Sequence, residues 1–363
     1  MKRTKISKLV GLFIDIDFSV TYCSCHREPA MIRLSLKNVR RYLLEKGLAR
    51  DRDHLEFFQF PGGVSCTVIL IIQNKRKKMV IKQALHKLRV KATWYVPLWR
   101  NHMEQDCLEF LASILPPGSV PRILFKDYEN YLFIMSSAPQ GAVTWKTDLL
   151  KGKVNWEIAR KAGRYLATIQ NESRKNSGIK KHFNRNDIYV EGRINPYYRV
   201  LPAIHPEIKD RIASLVRTSL NRRMTLSLTD YSPKNMMVKG NQLMLIDQEG
   251  AHWGDPCFDS AFCLNHLFLK AVHNRDWRRR YFRAIQNYWG AYSRTLDWGD
   301  VEEIEKGVVR HLGALLLARV DGKSPVEYLS GENKKVVRSV AKEVLLGEHQ
   351  RLEDIMETIT RLS

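Results

Sequence analysis

Acidic residues are scarce in this chain. Its 363 residues carry 38 Asp and Glu against 60 Lys and Arg, a formal charge of +22. That balance favours anionic partners such as nucleotides, nucleic acid or acidic membrane surfaces, and it says nothing about fold. Most of the excess is scattered. Its local runs, Lys75-Arg76-Lys77-Lys78 and Arg278-Arg279-Arg280, read as a solvated hairpin tip and a solvated helix face. No RNP, KH or helix-turn-helix pattern gathers the charge on one element, so no specific nucleic-acid partner is expected. The six cysteines, at 23, 25, 66, 107, 257 and 263, include no CxxC pair, and no His cluster completes a zinc site. Cys23 and Cys25 are too close for an ordinary disulfide, which leaves free thiols in a reducing cytoplasm. No apolar run is long enough to span a bilayer. The apolar stretch near the amino terminus is interrupted by Asp15 and Asp17 and lacks a clean small-residue cleavage site, unlike a signal peptide. The expectation is a soluble, cytoplasmic protein without internal repeats or low-complexity linkers. Its oligomeric state is left open, a homodimer included.

What is present is a globular composition, 44% hydrophobic and 10% aromatic, in a chain long enough for two lobes and a sizeable core. The stretch LSLKNVRRYLLEKGL, 34–48, has apolar residues at helical spacing and ends at Gly47. HLEFFQF, 54–60, then Pro61-Gly62-Gly63, then VSCTVILII reads as two strands around a tight turn. The basic turn NKRKK leads to a third strand, KMVIKQAL, which carries Lys82. HMEQDCLEFLASIL is helical in period and closes at Pro116-Pro117-Gly118. RILFKDYENYLFIMS is a hairpin turning at Asp127 to Asn130. From about residue 140 the chain reads as mostly helical. The fold class is therefore α+β: an extension over 1–30, a small β-rich lobe over 31–138 and a larger, mainly helical lobe over 139–363.

Within the helical part, LSLTDYSPKNMMV, 226–238, is unusual. It sets Asp230 and Asn235 five residues apart between two short apolar runs. Asp, Ser, Pro and Asn are ordinary turn residues, but this loop has company. Phosphoryl transfer from ATP needs a carboxylate to accept the proton of the attacking hydroxyl, and oxygen ligands for Mg2+. It also needs a Lys to hold the phosphates, a helix Glu to hold the Lys, and a glycine turn that lets backbone approach the phosphates. The chain supplies these parts in kinase order. Gly62 and Gly63 with Ser65 form the turn. Lys82 lies on a strand and Glu104 on the next helix. Asp230 and Asn235 have D-x-x-x-x-N spacing. Asp247 ends the apolar run LMLID, with Glu249 two residues on. Singly, each is more often a hairpin glycine, a surface charge or a turn residue; the ordered set carries the weight.

The run TDYSPKNMMV…LMLIDQEGAHWGDPCFD resembles the HGDxxxxN…IDxE…GDPxxD signature of the aminoglycoside phosphotransferase and choline kinase superfamily. VIKQALHKLRV, an aromatic segment, an Arg and then MEQDCL are similar to the corresponding region of methylthioribose kinases. So is the D-x-E form of Asp247 and Glu249. The resemblance covers roughly residues 35 to 330. It implies a two-lobed protein-kinase-like fold, with ATP in the cleft and the chain crossing between lobes near Met135 to Pro139. It further implies Asp230 as catalytic base, Asn235 and Asp247 as Mg2+ ligands with Glu249 as a second carboxylate, and Lys82 as phosphate clamp held by Glu104. Gly62, Gly63, Ser65 and Met135 would border the nucleotide. Asp255 and Asp259 would be structural, with Asp255 bracing the catalytic loop.

Two departures stand out. Where the family has His-Gly before the catalytic Asp, this chain has Leu228-Thr229. A β-branched Thr resists the positive φ that the Gly allows. The loop DYSPKN also ends in Asn, unlike the usual methylthioribose kinase loop. The reading is a Mg-ATP-dependent kinase acting on a hydroxyl of a small molecule: a sugar or polyol, a methylthioribose-like compound or an amino alcohol. The chain's basicity favours a neutral sugar or polyol over a cation. The alternative is a catalytically impaired, nucleotide-binding regulatory protein. Trp145, Tyr197, Tyr198, Trp253, Trp277 and Trp289 are candidates for an aromatic cage, though such residues in a helical lobe are more often core. His266 and His273, seven apart, are expected to share one helix face, and His252 to lie near the cleft.

Overall fold

A computed structural model describes residues 31–60, 64–89, 95–347 and 349–362. The extension over 1–30 with its Cys23–Cys25 pair, the Gly62-Gly63 turn and residues 91–94 of the aromatic segment lie outside these. Helix α1 spans Val39–Glu45, strands β1, β2 and β3 span Leu55–Gln59, Cys66–Gln73 and Lys77–Ala84, helix α2 spans Arg100–Ile114, and β4 and β5 span Ile123–Asp127 and Leu132–Ser136. The five strands form one antiparallel sheet in the order β1-β2-β3-β5-β4.

Strand alternation sorts the side chains of this sheet between two cores. Met79 and Ile81 of β3, with Leu132 and Ile134 of β5, pack beneath Val39, Tyr42 and Leu43 of α1. Their neighbours Val80, Phe133 and Met135 face Met103, Cys107, Leu108 and Leu111 of α2. Lys82, in register with Val80, is thereby directed to the α2 side. Helix α1 is shorter than the periodicity predicts. The Asn38 side chain accepts from the Ser35 N–H at 2.8 Å, a local turn that competes with helix. Leu34 reaches the core from a non-helical segment, its N–H bonded to Gln83 Oε1 at 2.9 Å.

Past β5 the chain leaves this sheet, because β6 (Val143–Thr144) pairs instead with β8 (Met236–Lys239), itself paired with β9 (Gln242–Leu245). Between β6 and β8 lie α3 (Trp145–Leu150), α4 (Trp156–Lys175), α5 (Ser177–His182), α6 (Asp187–Tyr189), α7 (Lys209–Asn221) and β7 (Thr225–Ser227). Strand β10 (His252–Gly254) pairs with β7. Then follow α8 (Pro256–His273), α9 (Arg278–Thr295), α10 (Val301–Asp321), α11 (Gly331–Leu346) and α12 (Leu352–Leu362). A π-helical segment, Val190–Arg199, contains Pro196, which has no N–H to donate.

Every residue of α8 is buried except His266 and His273, so the two histidines do lie along its one open edge. The aromatic residues proposed as a cage are mostly core. Trp145, Tyr197, Tyr198 and Trp253 are buried, and Trp277 and Trp289 pack against the same cluster. No described helix is long and apolar enough to cross a membrane. Cys66, Cys107, Cys257 and Cys263 are free and buried.

Helices α4 and α9 cross at Gly163, where an added Cβ would overlap the Tyr288 carbonyl. Backbone cannot yield there as a flexible side chain would. Gly163→Ala is therefore expected to destabilise the chain by about 2 kcal/mol or more, read as a lowered urea midpoint. An unchanged midpoint would place the two helices further apart.

Candidate active site

The ammonium of Lys82 joins three elements. Its Nζ lies 2.7 Å from Glu104 Oε1 on α2 and 2.5 Å from Asp247 Oδ1, just beyond β9. Glu104 shares a helix face with Cys107, Leu108 and Leu111, all buried, so it enters the core beside apolar neighbours. Burial opposes the charge on Lys82, but Asp247 and Glu104 outweigh it and hold the amine well above its usual range. Burial pushes the Glu104 carboxyl up to about 7 against the pull of Lys82. Asp247 is also penalised by burial, yet Lys82 keeps it below the usual carboxylate range.

Glu249 completes an acidic cluster. One carboxylate oxygen from each of Glu104, Asp247 and Glu249 lies within 4.8 Å of the others. Arg100, at the head of α2, donates to Glu249 at 3.2 Å and to the carbonyls of Ser65, Leu85 and Pro97. Three carboxylates face two cations, Lys82 and Arg100. Glu104 Oε2 is buried with no hydrogen-bond partner, while 35% of the Asp247 side chain is exposed. Hard oxygen donors, a residual negative charge and an accessible carboxylate fit a divalent cation such as Mg2+.

The Asp230 loop follows β7. The Asp230 carboxylate is held by Arg193 at 3.0 Å, Lys234 at 2.8 Å and the Ser232 hydroxyl at 2.9 Å. Burial alone would raise its pKa, but Arg193 and then Lys234 hold it far below the usual carboxylate range. Asn235 turns back toward the same point, its Nδ2 donating to the Asp230 carbonyl at 3.1 Å, and its own carbonyl accepts from Ile246 N–H at 2.9 Å. The loop is thereby tied to the strand end that carries Asp247.

Thr229 has φ +66° and Asp247 φ +67°, so the Thr does adopt the left-handed conformation that β-branching disfavours. Its hydroxyl donates to the Gly250 carbonyl at 2.6 Å and lies 2.8 Å from His252 Nδ1. A His on β10 thus meets the residue that precedes Asp230. Leu228 is buried in the core instead. Asp259 is what braces the loop backbone, accepting from Leu228 and Thr229 N–H at 2.6 and 3.0 Å. Asp255, expected in that role, caps α8 through the Cys257 N–H at 3.0 Å and meets His311 at 3.1 Å.

Lys82, Glu104, Asp247 and Glu249 thus converge directly, and Asp230 and Asn235 share the adjoining loop. Ser65 contributes its carbonyl to Arg100 and to Leu85 N–H. Met135 pairs with Val80 at the end of the sheet. Arg193, Lys234 and His252 were not singled out at the Asp230 loop by sequence reasoning. Arg193 sits in a π-helical turn without motif spacing, and only the four-residue step from Glu104 hints at Arg100.

This lobe arrangement and polar constellation define a kinase-like phosphotransferase. The chain belongs to the phosphotransferase enzyme family, whose model matches residues 58–298, and it is a small-molecule kinase. It is 23% identical to a methylthioribose kinase of Geobacillus kaustophilus over 352 residues, covering 84% of this chain and 88% of that protein. In three dimensions it is similar to an amicoumacin kinase solved with AMP-PNP, Ca2+ and Ami, with TM-score 0.56 and 14% identity over 89% of this chain and 99% of that one. A macrolide 2'-phosphotransferase from Brachybacterium faecium has TM-score 0.51 and 15% identity, over 87% of this chain and all of that one. These likenesses carry the fold.

Two substitutions separate strain from bracing at Thr229. Thr229→Val keeps the β-branch but removes both hydroxyl contacts, with an expected loss of about 2 kcal/mol. Thr229→Gly loses the same contacts but relieves about 1–2 kcal/mol of backbone strain, so its loss is expected to be smaller. Chemical denaturation of the pair checks this ranking; a harmless Thr229→Val would deny the hydroxyl its role.

Proposed function

We propose that the chain is a Mg-ATP-dependent kinase of the cytoplasm that transfers the γ-phosphoryl group to a hydroxyl of a small acceptor. The observation that carries the reading is the pairing of Lys82 with both Glu104 and Asp247 beside a loop that presents Asp230 and Asn235 together. In the reaction the acceptor oxygen bonds to the γ-phosphorus, the bond to the ADP oxygen breaks, and the hydroxyl proton passes to Asp230. Lys82 would contact nucleotide phosphates while Glu104 fixes its position. Asn235, Asp247 and Glu249 would hold Mg2+, which when bound neutralises phosphate charge. Ser65, Met135, Gly62 and Gly63 would border the nucleotide.

Arg193 and Lys234 keep Asp230 ionised at every pH near neutrality, which makes it a weak base. Such a base suits a loose transition state, in which orienting the hydroxyl matters more than early proton removal. An impaired, regulatory protein was the other reading, and Leu228-Thr229 was its support. The brace from His252 and Asp259 gives the loop what the missing His-Gly would supply, so the active reading is favoured.

Asp230→Asn is expected to lower turnover by about 10²–10⁴-fold while leaving ATP affinity within a few-fold, as measured by coupled ADP release and calorimetry. Near-normal turnover would remove Asp230 from the mechanism. Asp247→Ala is expected to abolish the Mg2+ dependence of ATP affinity, because the carboxylate is the exposed end of the acidic cluster. Should that dependence persist in calorimetry, the cation lies elsewhere.

A further inference from the structure

A second group of cations, Arg319 and Lys270, lies beyond Arg193, and among the described residues it lacks the acids that would neutralise it. Arg193, bound to Asp230, stacks on Tyr197, its guanidinium carbon 5.6 Å from the ring centre, and on Phe262 at 4.9 Å. The Tyr197 ring is shared with Arg319 of α10, 5.9 Å from its centre, and the Tyr197 hydroxyl accepts from Arg319 at 3.2 Å. The other partners of Arg319 are the Ser324 carbonyl and hydroxyl. All three are neutral, and its Nε is buried with no partner.

Lys270 of α8 is 0% exposed. Its Nζ donates to the His266 carbonyl at 3.1 Å and sits 5.3 Å from the Tyr328 ring. The Tyr328 hydroxyl is itself buried and unpartnered. Burial, reinforced by Lys146 and Arg319, pushes the Lys270 amine down to about 7. Phe262, His266 and Lys270 follow one another at four-residue steps along α8. Phe262 lies under Arg193 and its ring centre is 5.6 Å from that of His266, so the cluster continues from the guanidinium that holds Asp230. Among the described residues no carboxylate pairs with Lys270 or Arg319. The nearby acid, Glu327, is paired with Lys146 at 2.9 Å.

Burying an amine without a counter-charge is unfavourable. The unpartnered Tyr328 hydroxyl and Arg319 Nε, both buried, add to the penalty. Each of them is a donor, and a bound anion would supply the counter-charge or acceptor each lacks. From this geometry we infer that the acceptor is an anionic hydroxy compound, its carboxylate or phosphate bound by Arg319, Lys270 and Tyr328 while its hydroxyl meets Asp230. This rests on the kinase reading and replaces the neutral sugar favoured by overall charge. A cationic amino alcohol would meet Arg319 and Lys270 with no carboxylate to hold it, and so is disfavoured.

The test is a thermal-shift and calorimetric titration of the whole chain with D-glycerate, glycerol 3-phosphate, methylthioribose and choline, with Mg-ATP titrated separately. One of the two anions is expected to bind saturably, and which one separates carboxylate from phosphate. Arg319→Met and Lys270→Met are each expected to weaken that anion by about tenfold or more with the Mg-ATP response unchanged. Lys270→Met is also expected to raise the melting temperature of the unliganded chain, since it removes a buried amine, so lost binding cannot be ascribed to unfolding. Arg310→Met, on the exposed face of α10, keeps anion binding. If both Met variants at 270 and 319 bind the anion as before, it sits on the general basic surface and the inference fails. It fails equally if methylthioribose or choline binds and neither anion does. Absence of an Mg-ATP response in the unaltered chain would instead overturn the kinase reading, whatever the anions do.

Discussion

The Lys82 ammonium is the point on which the site depends. Taken out of water alone it would be strongly disfavoured, and so would Glu104, which shares a helix face with apolar residues. Each is tolerated because of the other, and Asp247 is drawn to the same nitrogen from beyond β9. One charge therefore fixes the relative position of β3, α2 and the segment following β9. Removing it would leave three carboxylates facing each other with only Arg100 among them, the kind of uncompensated burial that is far more damaging than an exposed ion pair is helpful. The arrangement buys little stability in itself. It supplies a preset position, which is what phosphoryl transfer asks of a protein.

The loops that complete the site are held against their own preferences. Thr229 and Asp247 both have positive φ, and neither is glycine. Such conformations persist where surrounding contacts over-determine them. At Thr229 those contacts are Asp259 on two successive N–H groups and His252 on the hydroxyl. At Asp247 the constraint is Lys82. Asp259 can do this because α8 is almost wholly buried, and Asp255 anchors the start of that helix. The most apolar helix of the larger lobe thus serves as the rigid base for its most polar loop.

Much of this was legible in the sequence, for definable reasons. The β-branched neighbours of Lys82 in KMVIKQAL put it on a strand, and the helical periodicity of HMEQDCLEFLASIL puts Glu104 on the helix that follows, without showing that its face is buried. The D-x-x-x-x-N spacing and the Asp at the end of LMLID are local patterns, so they survive without tertiary information. What escaped was non-local. The His that serves Thr229 lies 23 positions away in the chain, on a strand of three residues that pairs with β7. Arg193 comes from an irregular π-helical turn whose periodicity matches neither strand nor α-helix. The start of α1 was misjudged because Leu34 is apolar for a tertiary reason, its place in the sheet core, while a side-chain turn at Asn38 competes with helix. The role given to Asp255 went to Asp259, because Asp255 caps α8 while Asp259 lies in its first turn, and only the fold shows which one faces the loop.

Net charge was the least informative part of the sequence, and its placement is among the more informative parts of the structure. A formal charge of +22 read as scattered solvation, since no run of basic residues marks Arg193, Lys234, Lys270 and Arg319, which lie on three helical segments and one loop. Folding sets Arg193 and Lys234 on the Asp230 carboxylate and brings Arg319 to the far side of the Tyr197 ring that Arg193 also meets. Two of them, Arg193 and Lys234, are used by Asp230, and their effect is to keep it ionised. The other two have no such use within the chain. A kinase whose nucleotide and acceptor are both anionic must bring two negative groups together before any bond forms. On the proposed reading, Arg319 and Lys270, with neutral aromatic rings beside them, would meet that requirement without offering an acid that competes for them. Such a cluster would discriminate by charge before shape, and an anionic acceptor would satisfy donors that the fold itself leaves without partners.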